Sequence, residues 1–240
     1  MRNFFTRPAR ASHGFVYRAA WWLAMAVLAF LAWSVGGVLV YKVVPPPVTL
    51  TMIFDPNGFD KQWEPLSRID RRMVDAAIAG EDSRFCQHHG FDGAGIAYAL
   101  HTDMSGGRLR GGSTISQQTA KNAFLWQGSG WDRYLRKGLE AWYTVLIEAI
   151  WGKRRIMEVY LNIAETGIGT YGVEQGAQRY YHHAAAHLSG IEAARLAAAF
   201  PAPKKRAVVG ASGFVRRHGN AIAARSSVVR HSDLDLCVYE

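Results

Sequence analysis

Cysteine is nearly absent from this chain: Cys86 and Cys237 are the only two in 240 residues. Two thiols cannot build the framework of a disulfide scaffold or the paired spacings of a zinc site. They allow at most one bridge, and with Cys237 close to a terminus the expectation is that both are free. No acidic residue precedes Asp55, and no charge of either sign occurs from Ala19 to Tyr41. Metal-site patterns are missing too. His88-His89 and His182-His183 are adjacent pairs, which on a helix point about 100° apart and rarely share an ion. Gly106 to Gly111 has the glycine spacing of a P-loop, but Gly112 stands where the phosphate-binding lysine should follow, which excludes an NTPase of that kind. Sustained alternation of the strand type and internal repeats are lacking, so the chain reads as mainly α with little sheet.

What is present starts with a hydrophobic content of 49% and a formal charge of +9. The first is ample for a core. The second favours an anionic partner: nucleic acid, a lipid headgroup or a phosphorylated substrate. Ala19 to Tyr41 is 23 uncharged residues, long enough to cross a bilayer as a helix. Arg2, Arg7, Arg10 and Arg18 precede it, so the positive-inside rule puts the N-terminus in the cytoplasm and the rest outside. An extracytoplasmic domain argues against nucleic acid. The expected organisation is a basic cytoplasmic segment over 1–18, a transmembrane helix over 19–41, a linker over 42–65 stiffened by Pro45-Pro46-Pro47, a catalytic domain over 66–225 and a frayed tail over 226–240. Within the domain, helical spacing begins near Ser67, with Ile69, Met73, Val74, Ala77 and Ile78 on one face. A long helix is expected from about Asp132 to Gly152, and another from Arg155 to Asn162. Ser189-Gly190-Ile191-Glu192 forms a capping box before an alanine-rich helix ending at Pro201.

Chemistry concentrates in a few clusters. In Gly111-Gly112-Ser113-Thr114-Ile115-Ser116-Gln117-Gln118-Thr119-Ala120-Lys121-Asn122, glycines allow close backbone approach. Ser113, Thr114, Gln117 and Gln118 offer neutral hydrogen bonds, and Lys121 offers a point charge for phosphate. Together they suit a ligand that is both sugar-like and phosphorylated. Glu81-Asp82 closes an apolar helix, where partial desolvation raises the basicity of a carboxylate. Arg136, Lys137 and Glu140 share one helix face, either as a surface ion pair or as a second carboxylate with cationic neighbours. Phe124-Leu125-Trp126 and Trp131 flank a Gly128-Ser129-Gly130 turn. They are either core or a lip that dips into the bilayer.

These residues resemble the peptidoglycan glycosyltransferases of glycosyltransferase family 51, in five motifs in order across about Leu66 to Arg225. They are Glu81-Asp82-x-x-Phe85-x-x-His88-x-Gly90-Phe91-Asp92, Gly112 to Asn122, Arg136-Lys137-x-x-Glu140, Arg155 to Asn162, and Gly172-Val173-Glu174 with Ala177, Tyr180 and Tyr181. The resemblance implies a mainly α, lysozyme-like, two-lobed domain that polymerises lipid II into β-1,4-linked glycan strands and releases undecaprenyl diphosphate. It implies Glu81 as general base, Glu140 as a second important carboxylate, and Lys121 neutralising the departing diphosphate. Asp82, Phe85, His88, Gly112, Ser113, Thr114, Gln117, Gln118, Asn122, Arg136 and Lys137 are implied to bind substrate. The family's further arginine, four residues before the Arg-Lys pair, is Asp132 here, so Arg133 is the stand-in. No resident cofactor is implied, with Mg or Mn as an optional addition. The implied setting is the bacterial inner membrane, with a periplasmic catalytic domain and division or elongation proteins as candidate partners. The rival is a membrane-anchored lysozyme-like hydrolase or lytic transglycosylase acting on finished peptidoglycan.

Overall fold

The computed structural model describes residues 12–95, 97, 112–127, 130–210 and 212–240. The Gly106–Gly111 spacing and the Gly128-Ser129 pair lie outside them. As expected, the described chain is mainly helical.

Helix α1 (Ser12–Val43) contains the uncharged run and is 32 residues long. The most apolar 18-residue window within Gly14–Val43 has a mean hydropathy of 2.3, and most of that window is exposed. Such a helix is compatible with a membrane anchor. Its last turns are not free. Ser34 and Val38 are fully buried against the rest of the molecule.

Pro45 and its neighbours end α1, but the residues after them do not form a detached linker. Thr49 caps a short helix α2 (Leu50–Ile53) through a bond from Met52 N. Asp55 forms a turn, accepting from Asn57 N at 3.0 Å, and is itself buried. Asp60–Lys61 then forms strand β1. It pairs in parallel with β3 (Thr170–Tyr171), which pairs antiparallel with β2 (Glu165–Gly167) and leads into helix α7 (Val173–Tyr181).

Two helix groups make the core. In the first, α3 (Arg71–Glu81), α8 (Gly190–Ala199) and α9 (Gly213–His231) pack on one another. Small residues set their spacing: Ala76, Ala77, Ala193, Ala194, Ala197 and Ala198 are fully buried. A Cβ on Gly80 would lie only 3.2 Å from Ile222 Cδ1. Asp70 caps α3 through Arg72 N, and Ser189 with Glu192 forms the expected capping box on α8. In the second group, α4 (Ile115–Phe124) packs on α5 (Asp132–Ile150) and α6 (Gly152–Ile163). The run expected to stay helical to Gly152 breaks at Trp151, because Gly152 takes φ +76°, a left-handed conformation that glycine adopts without strain. Helix α5 also lies against α1. The aromatic cluster divides. Leu125 is buried and Phe124 stacks on Tyr143 at 4.5 Å, whereas Trp131 is 82% exposed.

Two expectations are corrected. The cysteines are not free: Cys86 and Cys237 form a disulfide, with Cα atoms 5.5 Å apart. The tail from Ser226 does not fray. It completes α9 and adds α10 (Leu236–Tyr239). It is held by Arg71 donating to both oxygens of buried Asp235, by Arg230 paired with Asp75, and by Arg154 donating to Val238 O. Ion pairs and a covalent bond do here what an apolar stripe does elsewhere, so the hydrophobic pattern carried no sign of it.

Candidate active site

The site forms where the two helix groups meet. Glu81 is the last residue of α3, Gln118 and Lys121 lie on α4, Glu140 on α5 and Tyr160 on α6. Four separate elements therefore converge.

A short chain of hydrogen bonds aims Glu81. The Tyr160 hydroxyl donates to Gln118 Oε1 at 3.4 Å, and Gln118 Nε2 donates to Glu81 Oε2 at 2.9 Å. The first bond fixes which end of the amide faces the carboxylate. Burial raises the Glu81 pKa above its ordinary value. The Gln118 bond and the charges of Arg206 and Lys121 oppose the rise, and Asp82 adds to it. Burial, reinforced by Glu81 and Asp82, also lifts Tyr160 well above the normal phenol range, so it stays a neutral donor.

Lys121 sits between carboxylates. Burial lowers its pKa, Arg136 and Lys137 push the same way, and Glu140 and Glu81 favour its charge. Glu140 is buried, with Lys137 Nζ on Oε1 and Arg136 3.6 Å from Oε2. Arg136 Nε is buried without a hydrogen-bond partner, and so is Asn122 Oδ1. Orphaned polar atoms beside a cationic cluster are what a ligand would satisfy.

A second network braces this arrangement. Asp82 accepts from His88 Nε2 at 3.0 Å and from the backbone N–H of Ile115, the first residue of α4, also at 3.0 Å. Gly90 N donates to His88 Nδ1, which leaves the imidazole proton on Nε2. Thr114 caps α4 with Gln117 in a capping box and donates to Gly90 O at 2.6 Å. Gly90 has φ +92°, and a Cβ there would meet Thr144 Cγ2 at 2.7 Å. The end of α3 and the start of α4 are thus clamped at a fixed separation.

The chain matches the Transglycosylase family over residues 49–229. A biosynthetic peptidoglycan transglycosylase of Caulobacter vibrioides is 46% identical over 214 residues, spanning 88% of this chain and 92% of that protein. One from Rhodospirillum centenum is 44% identical over 220 residues, spanning 90% and 94%. One from Xanthomonas euvesicatoria pv. vesicatoria is 45% identical over 211 residues, spanning 84% of each chain.

The chain belongs to the transglycosylase family.

Within this transglycosylase domain the residues expected at the site separate into three sets. Glu81, Gln118, Lys121, Arg136, Lys137 and Glu140 come within electrostatic reach of one another. Asn122 lines the same cavity as Gln118 and Lys121. Asp82, Phe85, His88, Thr114 and Gln117 are buried and none lines that cavity. Gly112 and Ser113 are exposed just before α4. Arg133 is not gathered with the others. It is exposed and donates to the hydroxyl of its neighbour Tyr134. Tyr160 and Arg206 join the site without a sequence signal for that role. Tyr160 stood in a quoted motif, but no local pattern connects Arg206 with Glu81. Among the described residues, no three His, Cys, Asp or Glu side chains gather to hold a metal ion.

Proposed function

We propose that the chain is a membrane-anchored peptidoglycan glycosyltransferase that extends glycan strands from lipid II. The observation that carries the proposal is the meeting of Glu81 and Lys121 in one site of a transglycosylase domain. Glu81 takes the proton from the 4-hydroxyl of the incoming GlcNAc. The freed oxygen attacks the anomeric carbon of the lipid-linked MurNAc from the side opposite the diphosphate, so the configuration inverts. The leaving diphosphate accumulates charge as its bond to carbon breaks, and Lys121 and Arg136 oppose that charge where it develops. Glu140 holds the cations, while Asp82 and His88 brace the base. A hydrolase would have no use for this cationic cluster, and the relatives named above are biosynthetic.

The finer location is part of the proposal. Arg2, Arg7, Arg10 and Arg18, ahead of the uncharged run, support an N-terminus in the cytoplasm and a domain in the periplasm, at the inner membrane. The disulfide supports an oxidising compartment. Exposed Trp131, Tyr134 and Leu135 suit contact with the lipid surface from which the substrate enters.

The test is polymerisation of lipid II by the full chain in detergent, with purified sacculi as the competing substrate. Long strands from lipid II and no muropeptide release are expected. Glu81→Gln should lower the rate by about a hundredfold or more while the far-UV circular dichroism is kept. Chain growth at near wild-type rate in that variant would remove Glu81 as the base.

A further inference from the structure

From Ala193 to Ser232 the chain holds eight lysines and arginines and no aspartate or glutamate. All of α9 falls in this stretch. Ile222 and Val229 bury one face of the helix, which packs on α3 and α8, while Arg216, Arg217, Asn220 and Arg225 are exposed. Arg195, on α8, meets α9 where that helix has no side chain: a Cβ on Gly219 would lie 3.5 Å from Arg195 Cγ. Arg216 stands one helical turn before Gly219, on the neighbouring position of the helix surface. Arg195 Nε is buried and has no hydrogen-bond partner, although the residue as a whole is only half-buried. This spot is close to the proposed base. Ile222, one turn after Gly219, abuts Gly80, the residue before Glu81.

The carboxylates of this helix group are taken. Glu192, three residues before Arg195, accepts from Ser189 N at 2.8 Å and Ser189 Oγ at 2.7 Å and pairs with His183. Asp75 is paired with Arg230, and Asp235 with Arg71. A buried N–H without an acceptor costs free energy, so an acceptor is what the site lacks, and the surrounding charge favours an anionic one. A carboxylate matches the edge of a guanidinium, taking Nε and a terminal nitrogen side by side. Lipid headgroups are the poorer source. Helix α1 docks on α5 and on the Trp151 and Arg155 side chains, in the other helix group. The glycan strand is the better one, because the peptide on each of its lipid II units ends in a carboxylate. A five-residue peptide spans at most about 17 Å, against about 5.4 Å for the single turn from Ile222 to Gly219.

We propose that Arg195, Arg216 and Arg217, around Gly219 at the junction of α8 and α9, form a carboxylate-binding surface that docks the peptides carried by the glycan strand. The proposal rests on the glycosyltransferase reading, which supplies the peptide-bearing strand. The surface lies outside the cleft and takes no part in the bond-forming step.

The experiment uses the full chain in detergent, with wild-type polymerisation of lipid II as its first arm. Failure of that arm would sink the glycosyltransferase reading, whatever happens at Arg195. The second arm measures binding of a lipid-free GlcNAc–MurNAc-pentapeptide by ligand-detected NMR, with the same molecule amidated at its peptide carboxylates as the comparison probe. Wild type should prefer the carboxylate form about tenfold, the gain of one hydrogen-bonded charge pair, and the preference should shrink as salt is added. Arg195→Leu should abolish the preference, and Arg195→Lys, which keeps the charge without the planar fork, should restore only part of it. Arg216→Gln with Arg217→Gln changes two exposed side chains, leaves the fold intact and should cut the preference several-fold. Short-chain phosphatidylglycerol, as a third probe, should bind equally to wild type and variants. No preference in wild type, or an unchanged preference in folded Arg195→Leu or in the double variant, would overturn the proposal. An equal loss of phosphatidylglycerol binding would assign the surface to lipid headgroups and overturn it too.

Discussion

Burial makes the Glu81 carboxylate a stronger base and, to the same extent, a costly charge. Its pKa lies above the ordinary 4.5, with burial as the leading cause. A general base must be ionised, so kcat/KM should rise with pH along an acid limb set by Glu81, at a pH above the range of a solvated glutamate. Gln118 donates to the ionised form. Gln118→Leu removes that donor and should move the limb further up, which a pH–rate profile on lipid II would detect. An unmoved limb would show that another group sets it. Stability follows from the same shift. Because the folded-state pKa is the higher one, the native protein binds the extra proton in the window between the unfolded and folded values. Stability therefore falls as pH rises through that window. Glu81→Gln stands in for the protonated acid, so it should raise the thermal midpoint at neutral pH. It should lose that advantage below about pH 4, where the wild-type carboxyl is protonated in both states. A midpoint that drops at neutral pH would mean the ionised carboxylate is held by stronger partners than Gln118 and Lys121.

At the scale of elements, what the sequence disclosed and what it hid have separate physical causes. The apolar face of α3, the capping box of α8 and the polar run on α4 are local patterns, and each was legible because its partners lie within a few residues. The braces are not local. Asp82 reaches Ile115 N, Arg71 reaches Asp235, and Cys86 reaches Cys237 across a separation of 151 residues. The cavity that Gln118 and Lys121 line was hidden for the same reason, since Asp55, Glu165 and Lys204 reach it from the turn after α2, from β2 and from the loop after α8. The disulfide has the clearest consequence. Cys86 lies in the turn between Asp82 and His88, so the bond ties the C-terminal helix to the brace beside Glu81, the proposed base. Closing so long a loop stabilises by about 2–4 kcal/mol. Cys86→Ser with Cys237→Ser should lower the thermal midpoint by several degrees, and dithiothreitol should do the same to the wild type while leaving the double variant unchanged. A midpoint insensitive to both would mean that the Arg71–Asp235 and Arg230–Asp75 pairs hold the tail unaided.

For the whole molecule, the anchor is a docked part of the fold. Trp142 Nε1 donates to Ser34 Oγ at 3.2 Å and Trp151 Nε1 to Val38 O at 2.7 Å. Arg155 donates to Tyr41 O from two nitrogens, at 3.0 and 2.8 Å, and to Val44 O at 3.0 Å. The donors come from α5, α6 and the Trp151 break between them, and the two helices also carry Glu140 and Tyr160. With α1 in a membrane, as proposed above, its direction would fix how the cleft faces the bilayer, and a lipid-linked substrate confined to that bilayer would meet the site at one height and angle. Arg155→Gln combined with Trp151→Phe removes the donors to Val38, Tyr41 and Val44, and keeps the Trp142–Ser34 bond and most of the apolar packing. In proteoliposomes containing full-length lipid II, this double variant should turn over several-fold more slowly than wild type. With a short-chain, water-soluble lipid II in detergent the two should match, because orientation to a membrane then has no bearing on encounter. An equal loss in both assays would place the effect inside the catalytic domain. No loss in either would mean that the end of α1 tethers the domain without orienting it.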